Sequence, residues 1–372
     1  MPKPGTLFYN RRVSEGQEKL KTSDYVHLHN HTQYSLLDGL TKVPLLMDYV
    51  KSMGMEAVAM TDHGTMSGAI EFYKAGLDAG VKPIIGMEAY ISSRRHTDKD
   101  PSKDRQYYHL TVLAMNNEGY QNLMQLSTIA NLYVFYYRPS IDRELVEKYN
   151  QGLIALSGCI GGEVSDALRQ GQYDSAKKIA KWYKKVFGDR YYIELQDHGH
   201  PGHPTAWEEQ NAVNRQLLKL ADELGIEPIV TCDAHYLKKE DQEAHEVLLC
   251  VQTGSFLSDQ DRFSLKAFEL HVADPSEIIN RWGKENPELI TNTKKIAQRC
   301  DLNIDIGKII IPTYPTPKSE TEKSLLEKIS WRGLAWRYGG FSRRKSFTLS
   351  ISDAKKSLTK EIISRAKQEL DV

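Results

Sequence analysis

The chain has 372 residues, with 49 basic and 49 acidic side chains and 40% hydrophobic residues. This balance excludes a polyanionic partner attracted by net charge alone, although a local basic patch could still bind one. The longest apolar runs are only as long as strands, which excludes a membrane-spanning helix, and the first residues lack the apolar stretch of a secretory signal. Four cysteines without paired spacing are typical of reduced thiols, so the composition predicts a cytoplasmic protein with no membrane association.

Short β-rich runs alternate with helical patterns over roughly the first two thirds of the chain. YVHLH at 25–29 precedes a helix predicted over 42–54, and EAVAM at 56–60 precedes a second helix over 66–80. VKPIIGMEAYI at 81–91 is predicted to form a pair of strands.

Four further β-rich runs follow, each ahead of a helical pattern. They are YYHLTVLAM at 107–115, GLIALSG at 152–158, RYYIELQ at 190–196 and IEPIVTC at 226–232. About seven β-then-α units result, and their strands are apolar on both faces, as parallel strands between helices are. The count and the length favour an α/β fold with a closed or nearly closed (β/α) barrel over an open sheet.

The pattern changes after the last of these units. Helical segments at 275–300 and 321–338 flank the proline-spaced IIIPTYPTPKS at 309–319, which is predicted to be a linker. The segment 337–367 carries nine Lys and Arg residues. This basic, helix-prone end is typical of a helix lying near DNA phosphates and equally of a solvated helix face.

Three histidines occupy alternate positions in YVHLHNHTQYSLLDG: His27, His29 and His31. Alternate side chains of an extended chain point the same way, so the sequence predicts all three on one face. A row of imidazoles fills a core poorly. We therefore interpret this stretch as half of a metal site, whose other half has to come from elsewhere in the chain.

The other metal-binding side chains fall at corresponding places in the later units, on or just after a predicted strand. Because the strand ends of a (β/α) barrel converge on one rim, residues far apart in the sequence would meet there. Each one taken singly is more often structural than a ligand, and it is their recurrence at successive strand ends that favours a metal site. The nine candidate ligands are His29, His31, Asp38, His63, Glu88, His109, Cys159, Asp233 and His235.

This set of donors predicts both a type of metal and a type of reaction. Imidazoles, carboxylates and one thiolate suit Zn, Mn or Fe better than Mg or Ca. Nine donors are too many for one tetrahedral ion and suit two or three divalent metals, whose surplus positive charge favours a phosphate ligand. We therefore expect metal-assisted phosphoester hydrolysis, with a metal-bound hydroxide held by the ligands as the nucleophile.

Other polar residues near these positions have supporting roles in this hypothesis. His27 and Asp62 are expected to orient ligands, with ordinary structural roles as the alternative. In DHGHPGH, His198 lies nearest its strand and is expected to contact substrate or a bound phosphate. His200 and His203 are expected to be solvated loop residues.

Six motifs occur in order along the chain: HLHNHTQYSLLDG, AMTDHGTMSGAIEFYKA, KPIIGMEAY, GLIALSGCIGGE, YYIELQDHG and VTCDAHYL. Together they resemble the PHP (polymerase and histidinol phosphatase) domain, in the form found at the N-terminus of bacterial replicative DNA polymerase III alpha subunits. The resemblance covers about residues 22–340. It implies a distorted seven-stranded (β/α)7 barrel with a C-terminal helical and basic extension, up to three metals at the strand ends, and the same nine residues as ligands.

The resemblance also implies four segments in the chain. They are an N-terminal extension (1–22), the PHP barrel (23–255), barrel-closing helices with a Pro-rich linker (256–318), and the truncated start of a palm-like polymerase region (319–372). No GRGS-like stretch and no paired DxD follows residue 300. Polymerase activity is therefore not expected of this chain alone.

The activity that the resemblance implies is 3′–5′ exonuclease activity in DNA replication, because the full ligand set is present. The implied partners are DNA 3′ ends, together with other replicase subunits or a palm-containing partner chain. Two alternatives stay open. The chain could be a catalytically silent scaffold that docks a polymerase or a proofreading subunit, since some family members have lost ligands, or it could be a small-molecule phosphatase of the same family.

Overall fold

The computed structural model describes residues 19–198, 204–309 and 311–371. Most of the expected N-terminal extension, residues 1–18, lies outside the described residues, as do His200 and His203. Among the described residues, no helix is both long and apolar enough to cross a membrane.

Two compact units make up the chain, a first unit (Met1–Ile304) and a second unit (Asp305–Val372). The division into four segments stays a prediction. All the strands of the described chain belong to the first unit. They are β1 (Ala57–Met60), β2 (Lys82–Ser92), β3 (Tyr107–Ala114), β4 (Ser140–Ile141), β5 (Leu153–Leu156), β6 (Tyr191–Gln196) and β7 (Pro228–Thr231).

The strands form one sheet in the order β1-β2-β3-β5-β6-β7, with β4 paired to β2 outside this path. Every residue of β1, β5, β6 and β7 is buried, as expected for strands that are apolar on both faces. All of VKPIIGMEAYI except Val81 lies within the single strand β2, so the expected pair of strands is wrong. The run stays extended because β2 keeps one register with β3 from Gly86 to Ser92.

The segment 25–31 joins the two edges of this sheet. On one side the Ala59 N–H donates to the His27 carbonyl, at 2.9 Å. On the other side the His31 N–H donates to the carbonyl of Ala234, just beyond β7, at 2.7 Å. With the six strands of the path, this segment makes seven around a ring, and the expected distorted seven-stranded barrel is confirmed.

The strand directions account for the distortion. β3 runs antiparallel to both β2 and β5, whereas the other pairs in the path are parallel. The expectation of parallel strands throughout is therefore wrong for β3. Its reversed direction brings its first residues, including His109, to the rim where the parallel strands end, because His109 pairs with Tyr90 near the end of β2.

Helices surround the barrel and extend beyond it. In the first unit they are α1 (Val43–Ser52), α2 (Ala69–Ala79), α3 (Asn117–Leu132), α4 (Arg143–Lys148), α5 (Glu163–Arg169), α6 (Tyr173–Phe187), α7 (Pro204–Leu224), α8 (Gln242–Thr253), α9 (Pro275–Ile278) and α10 (Glu288–Arg299). Short 3-10 helices lie at Thr22–Asp24, Gly188–Arg190 and Lys239–Asp241, and a π-helix lies at Ile279–Gly283. The helices expected over 42–54 and 66–80 are confirmed as α1 and α2.

One face of the strands fills the barrel interior, and α10 packs against the end opposite the rim. An apolar layer there comprises Val26, Leu28, Ala57, Ala59, Ile84, Leu113, Ile154, Leu156, Tyr192 and Ile229 from the ring, with Ile296, Ala297 and Cys300. Further toward the rim, the same face of the strands carries a polar layer. It comprises Glu88, Thr111, Glu194 and Thr231, all fully buried.

The second unit is helical, with α11 (Glu322–Tyr338), α12 (Arg343–Ser346), α13 (Ile351–Lys356) and α14 (Lys360–Leu370). A small core of its own is formed by Trp331, Ala335, Ala354 and Leu358. Each helix begins at a Ser or Thr whose hydroxyl accepts a backbone N–H of the first turn, a cap worth about 1 kcal/mol. The helix expected over 321–338 is confirmed as α11.

Candidate metal centre

The nine candidate ligands meet at the rim of the barrel. Three groups of side chains have ligand atoms within 4.8 Å of one another: His29 with His31 and Asp233, His63 with Glu88 and His109, and His31 with His63 and His235. Asp38 and Cys159 adjoin these groups. Ring closure by the segment 25–31 and the reversed direction of β3 are therefore what bring the set together.

The deepest group lies where the closing segment meets the end of β7. The His29 Nε2 lies 3.2 Å from Oδ1 of Asp233 and 3.3 Å from Oε1 of Glu88. The His31 Nε2 lies 3.1 Å from the same Asp233 oxygen. Asp233 has a φ of +47°, a backbone strain that costs a non-glycine residue about 1 to 2 kcal/mol. Strain of this kind concentrates at functional sites.

Glu88 lies between the deep group and the β3 side of the rim. Its Oε2 is 2.6 Å from Nδ1 of His63, and its Oε1 is 2.9 Å from Nδ1 of His109. The Cys159 Sγ lies 3.6 Å from the same Oε1 and 3.4 Å from the His109 Nδ1. Both oxygens of the Glu88 carboxylate thus face imidazole nitrogens, so Glu88 would be among the residues that hold bound cations.

Asp38 faces the outer part of the cluster from the loop after the closing segment. Its Oδ2 is 2.9 Å from Nε2 of His63 and 3.7 Å from Nε2 of His235. His245 on α8, which the sequence did not indicate, places its Nε2 3.8 Å from the other oxygen of Asp38. The His245 side chain is buried, so a tenth side chain of a type that can bind metal lies beside the outer group.

Buried polar atoms without hydrogen-bond partners show that the cluster fits cations. Nε2 of His29, Nδ1 of His63 and Oε2 of Glu88 are all buried, and none has a hydrogen-bond partner among the described residues. The last two atoms lie only 2.6 Å apart, yet they are not aligned for a hydrogen bond. Unsatisfied buried groups are rare in native proteins, and lone pairs that converge without bonding are typical of metal ligands.

The cluster is strongly coupled electrostatically. Burial raises the pKa of Glu88, but the facing imidazoles, foremost His109 and His63, hold it well below its usual range. Burial lowers the pKa of His63, but the charges and hydrogen bonds of Glu88 and Asp38 together outweigh burial and raise the pKa to about 10. Burial lowers the pKa of His31 to about 3. Without ions, protons on some histidines therefore balance the carboxylates, and cations that bind there displace protons.

Glu194 on β6 contacts the cluster, and the sequence analysis did not indicate it. Its Oε1 accepts a 2.7 Å hydrogen bond from Nδ1 of His29, and Thr231 donates to the same oxygen at 2.6 Å. The Thr111 hydroxyl lies 3.2 Å from the same nitrogen. A proton on Nδ1 leaves the Nε2 lone pair free to bind a cation. The available signal was a glutamate inside the otherwise apolar strand YYIELQ.

Asp62 supports His31 through a hydroxyl. The Ser35 hydroxyl donates to Oδ1 of Asp62 at 3.1 Å and lies 2.8 Å from Nδ1 of His31. Asp62 also accepts the backbone N–H and the hydroxyl of Thr32, at 2.6 and 2.8 Å. These contacts suit a residue that orients a ligand, and that role for Asp62 stays a prediction.

His27 does not share the face of His29 and His31. Its Nε2 lies 2.9 Å from the carbonyl oxygen of Ala273, and its ring meets that of Tyr25 edge to face at 5.0 Å. The expectation that all three histidines point the same way is wrong, because the chain bends at His29 and forms only isolated bridges there.

A cavity of about 300 Å³ opens above the cluster, and its floor includes Asp38, His63, Asp233 and His235. His198 also lines the cavity, with its side chain buried and its Nε2 without a hydrogen-bond partner among the described residues. This placement agrees with the expectation that His198 contacts substrate, which stays a prediction.

The comparison with protein families identifies the class of domain to which most of the barrel belongs. The family model for the PHP domain matches residues 27–198, so this part of the chain is a PHP domain. The resemblance that the six motifs indicated is thereby confirmed.

The chain is also similar to curated DNA polymerase subunits. It is 42% identical over 326 residues to DNA polymerase III subunit alpha of Thermus aquaticus, which covers 84% of this chain and 26% of that protein. It is 39% identical over 351 residues to DNA polymerase III subunit alpha of Treponema pallidum, which covers 94% of this chain and 28% of that protein. The chain thus spans about a quarter of the length of these relatives.

The comparison with solved structures gives a weaker likeness. An amidohydrolase from Chromobacterium violaceum, 14% identical, superposes with a TM-score of 0.35 and covers 57% of this chain and 87% of that one. A likeness at this level carries no argument about function.

Proposed function

We propose that the rim cluster binds two or three divalent metal ions and hydrolyses phosphodiesters at the 3′ ends of DNA. The convergence of buried, unpartnered ligand atoms around Glu88 is the single observation that carries this proposal. Mixed imidazole, carboxylate and thiolate donors favour Zn, Mn or Fe as the metal. DNA is proposed as the substrate because the curated relatives are DNA polymerase subunits.

The charges at the rim favour an anionic substrate. Asp38, Glu88 and Asp233 supply three negative charges, and an ionised Cys159 would supply a fourth. Three divalent cations would exceed that number, and the surplus attracts a phosphodiester. Bound divalent ions supply Lewis acidity toward phosphoryl oxygens and lower the pKa of a coordinated water.

The reaction balances as a simple hydrolysis. Water adds hydroxide to phosphorus, the bond from phosphorus to the 3′ oxygen of the preceding nucleotide breaks, and that oxygen takes up the proton. Each turnover releases one nucleoside 5′-monophosphate and leaves a strand that is shorter by one residue. In this reaction Glu194 holds the His29 ring and Asp62 holds His31 through Ser35, so the cluster keeps its shape while substrate binds.

The test combines elemental analysis of the purified full chain with hydrolysis of a 3′-recessed primer, with and without chelator. We expect His63→Ala and Asp233→Asn to bind less metal and to lose at least about 100-fold in rate. His96→Ala is the matched control, because His96 pairs with Asp142 at 2.6 Å and belongs to none of the three groups. Hydrolysis at the wild-type rate in both cluster variants would rule out the proposal.

Two other experimental results would favour a different function for the rim cluster. Bound metal without turnover, together with a lower Tm in chelator, would favour the scaffold role. Turnover of small phosphomonoesters with no release of nucleotides from DNA would favour a small-molecule phosphatase.

A further inference from the structure

The cavity above the cluster is lined by side chains that metal binding does not require. Its floor consists of candidate ligands, but Phe263, Leu265 and Phe268 form an apolar wall. Arg138 lines the same cavity and also the neighbouring cleft beside Asp38. Metal ions and inorganic phosphate do not bind to the aromatic rings of Phe263 and Phe268. The apolar wall therefore indicates a ligand with an apolar part.

The apolar wall is held in place by polar contacts. Glu246 on α8 accepts hydrogen bonds from the Arg262 guanidinium at 2.6 Å, the Ser264 hydroxyl at 2.7 Å and the Leu265 N–H at 2.9 Å. These bonds hold the backbone on both sides of Phe263, whose side chain is nevertheless 52% exposed. The backbone at Phe263 is therefore held at the cavity while its ring stays half exposed, which leaves apolar surface free for a ligand.

His198 gives an independent indication of a ligand at this wall. Its side chain is only 5% exposed, and its Nε2 has no hydrogen-bond partner among the described residues. Its ring meets that of Phe268 edge to face at 5.6 Å. A buried nitrogen that lines a cavity without a partner is costly unless a ligand or a water satisfies it.

Arg138 supplies a positive charge at the same cavity. Its guanidinium lies 5.7 Å from the ring centroid of Tyr90 and interacts with the side chain of Tyr107. Within the described ranges, no carboxylate lies close enough to Arg138 to form an ion pair. Tyr107 and the charge of Asp38 also act on this guanidinium, and the N–H groups that Tyr107 does not hold can bind a phosphate.

We propose that this cavity is a subsite for one unpaired 3′-terminal nucleotide, with the base against Phe263 and Phe268 and the phosphate between Arg138 and the cluster. The inference deepens the proposed function and rests on it. A volume of about 300 Å³ is at the lower limit for ligand pockets and suits a ligand the size of one nucleotide. A base that lies against this wall has left its pair, so the subsite takes the terminal nucleotide of a frayed or mismatched end.

Binding of product tests the subsite without relying on turnover. The metal-loaded full chain is titrated calorimetrically with deoxythymidine 5′-monophosphate and, separately, with inorganic phosphate. We expect the nucleotide to bind at least about tenfold more tightly, the discrimination that one stacked base provides. Phe263→Ala removes this preference while phosphate binding is retained, and Arg138→Ala weakens both ligands. Phe256→Ala, at a 74% exposed ring that does not line the cavity, changes neither.

The outcomes distinguish the subsite from the proposed function. Equal affinity for nucleotide and phosphate in the wild type, or an unchanged ratio in Phe263→Ala, overturns the subsite even if DNA is hydrolysed. If the nucleotide binds more tightly than phosphate as expected but no nucleotide is released from DNA, the proposed exonuclease activity is wrong and the subsite is supported. Thermal unfolding of each variant checks its fold, and Glu246→Gln, which loosens the wall without removing a ring, is expected to weaken nucleotide binding by a smaller factor.

If the protein hydrolyses DNA, the rate at which a primer is shortened provides a second test of the subsite. A primer with a mismatched 3′ terminus is expected to be shortened at least about tenfold faster than the paired primer, because unpairing costs a few kcal/mol. Phe263→Ala reduces the rate on the mismatched end. Equal wild-type rates on the two primers contradict the subsite.

Discussion

The apolar layer and the polar layer of the barrel interior are formed by the same strands but differ in chemistry. In β2 the face that carries Ile84 in the apolar layer carries Glu88 in the polar layer, and in β6 Tyr192 is followed two residues later by Glu194. Both layers are fully buried. The apolar layer gains about 25 cal/mol for each Å² removed from water, whereas the polar layer loses hydration that only internal partners restore.

The difference shows how the domain separates stability from chemistry. α10 closes the apolar end, where side chains need no partners. At the rim, Glu88 and His29 have buried polar atoms without hydrogen-bond partners among the described residues. Bound cations would offset the cost of burying these atoms. We therefore expect the rim to depend on metal and the apolar end to be indifferent to it, which the following variants test.

The largest effect is expected from Glu88→Gln. The substitution preserves the shape of the side chain but removes the charge that faces His63 and His109. We expect loss of at least one bound ion and a fall of more than about 100-fold in hydrolysis, with elemental analysis and the primer assay as measurements. Full metal content in this variant would show that Glu88 is not a ligand.

A smaller effect is expected from Glu194→Gln, which weakens the hydrogen bond to Nδ1 of His29 but leaves every candidate ligand in place. Metal affinity should fall about 10- to 100-fold, as measured by competition with a chromogenic chelator. Glu144→Gln is a suitable control, because Glu144 pairs with Arg95 on the surface. Wild-type affinity in Glu194→Gln would mean that the carboxylate only fills space.

His27→Gln tests whether the third histidine belongs to the polar layer. Burial lowers the pKa of His27 from 6.5 to about 4, so the unfolded chain binds the proton more readily between these values. Its contribution to stability is present above about pH 6.5 and is lost as the pH falls toward 4. Between pH 7 and pH 5, urea unfolding should show about 2 kcal/mol less loss of stability in the variant than in the wild type.

Metal content should be unchanged in His27→Gln, because its Nε2 faces Ala273 rather than the cluster. Loss of metal in the variant would support a role for His27 in orienting ligands. A loss of stability at low pH as large as that of the wild type would contradict the lowered pKa of His27.

The smallest effect is expected from Ile84→Val, the apolar counterpart of Glu88 on the same strand. Removal of one buried methylene group should cost about 1 kcal/mol in the free energy of unfolding. Metal content and hydrolysis should not change. Loss of metal here would show that the two layers are coupled and would remove the distinction between them.

Local pattern was enough to predict much of this domain. Helices α1 and α2 followed from apolar spacing, and the candidate ligands followed from polar residues that recur after apolar strands. Both are properties of short stretches, because periodicity and strand ends are visible within about ten residues. That these nine residues bind metal stays a prediction, although the structure brings them together.

Only the tertiary structure decided how the strands are joined. Closure of the ring depends on backbone hydrogen bonds of Ala234 with His31 and His29, about 200 positions away, and no local pattern specifies them. The direction of β3 depends on its pairing with β2 and β5. The separation of His27 from His29 depends on a bend where the segment bridges two strands.

The partners of the polar groups were also decided by long-range packing. Glu194 reaches His29, and Arg138 and Phe263 reach one cavity, only because strands and loops from distant parts of the chain meet at the rim. The sequence by itself determined which residue types stand at the strand ends. The physical reason that it could not determine their contacts is that a buried donor takes its partner from whatever the fold places beside it, while residue type and spacing record only what is adjacent along the chain.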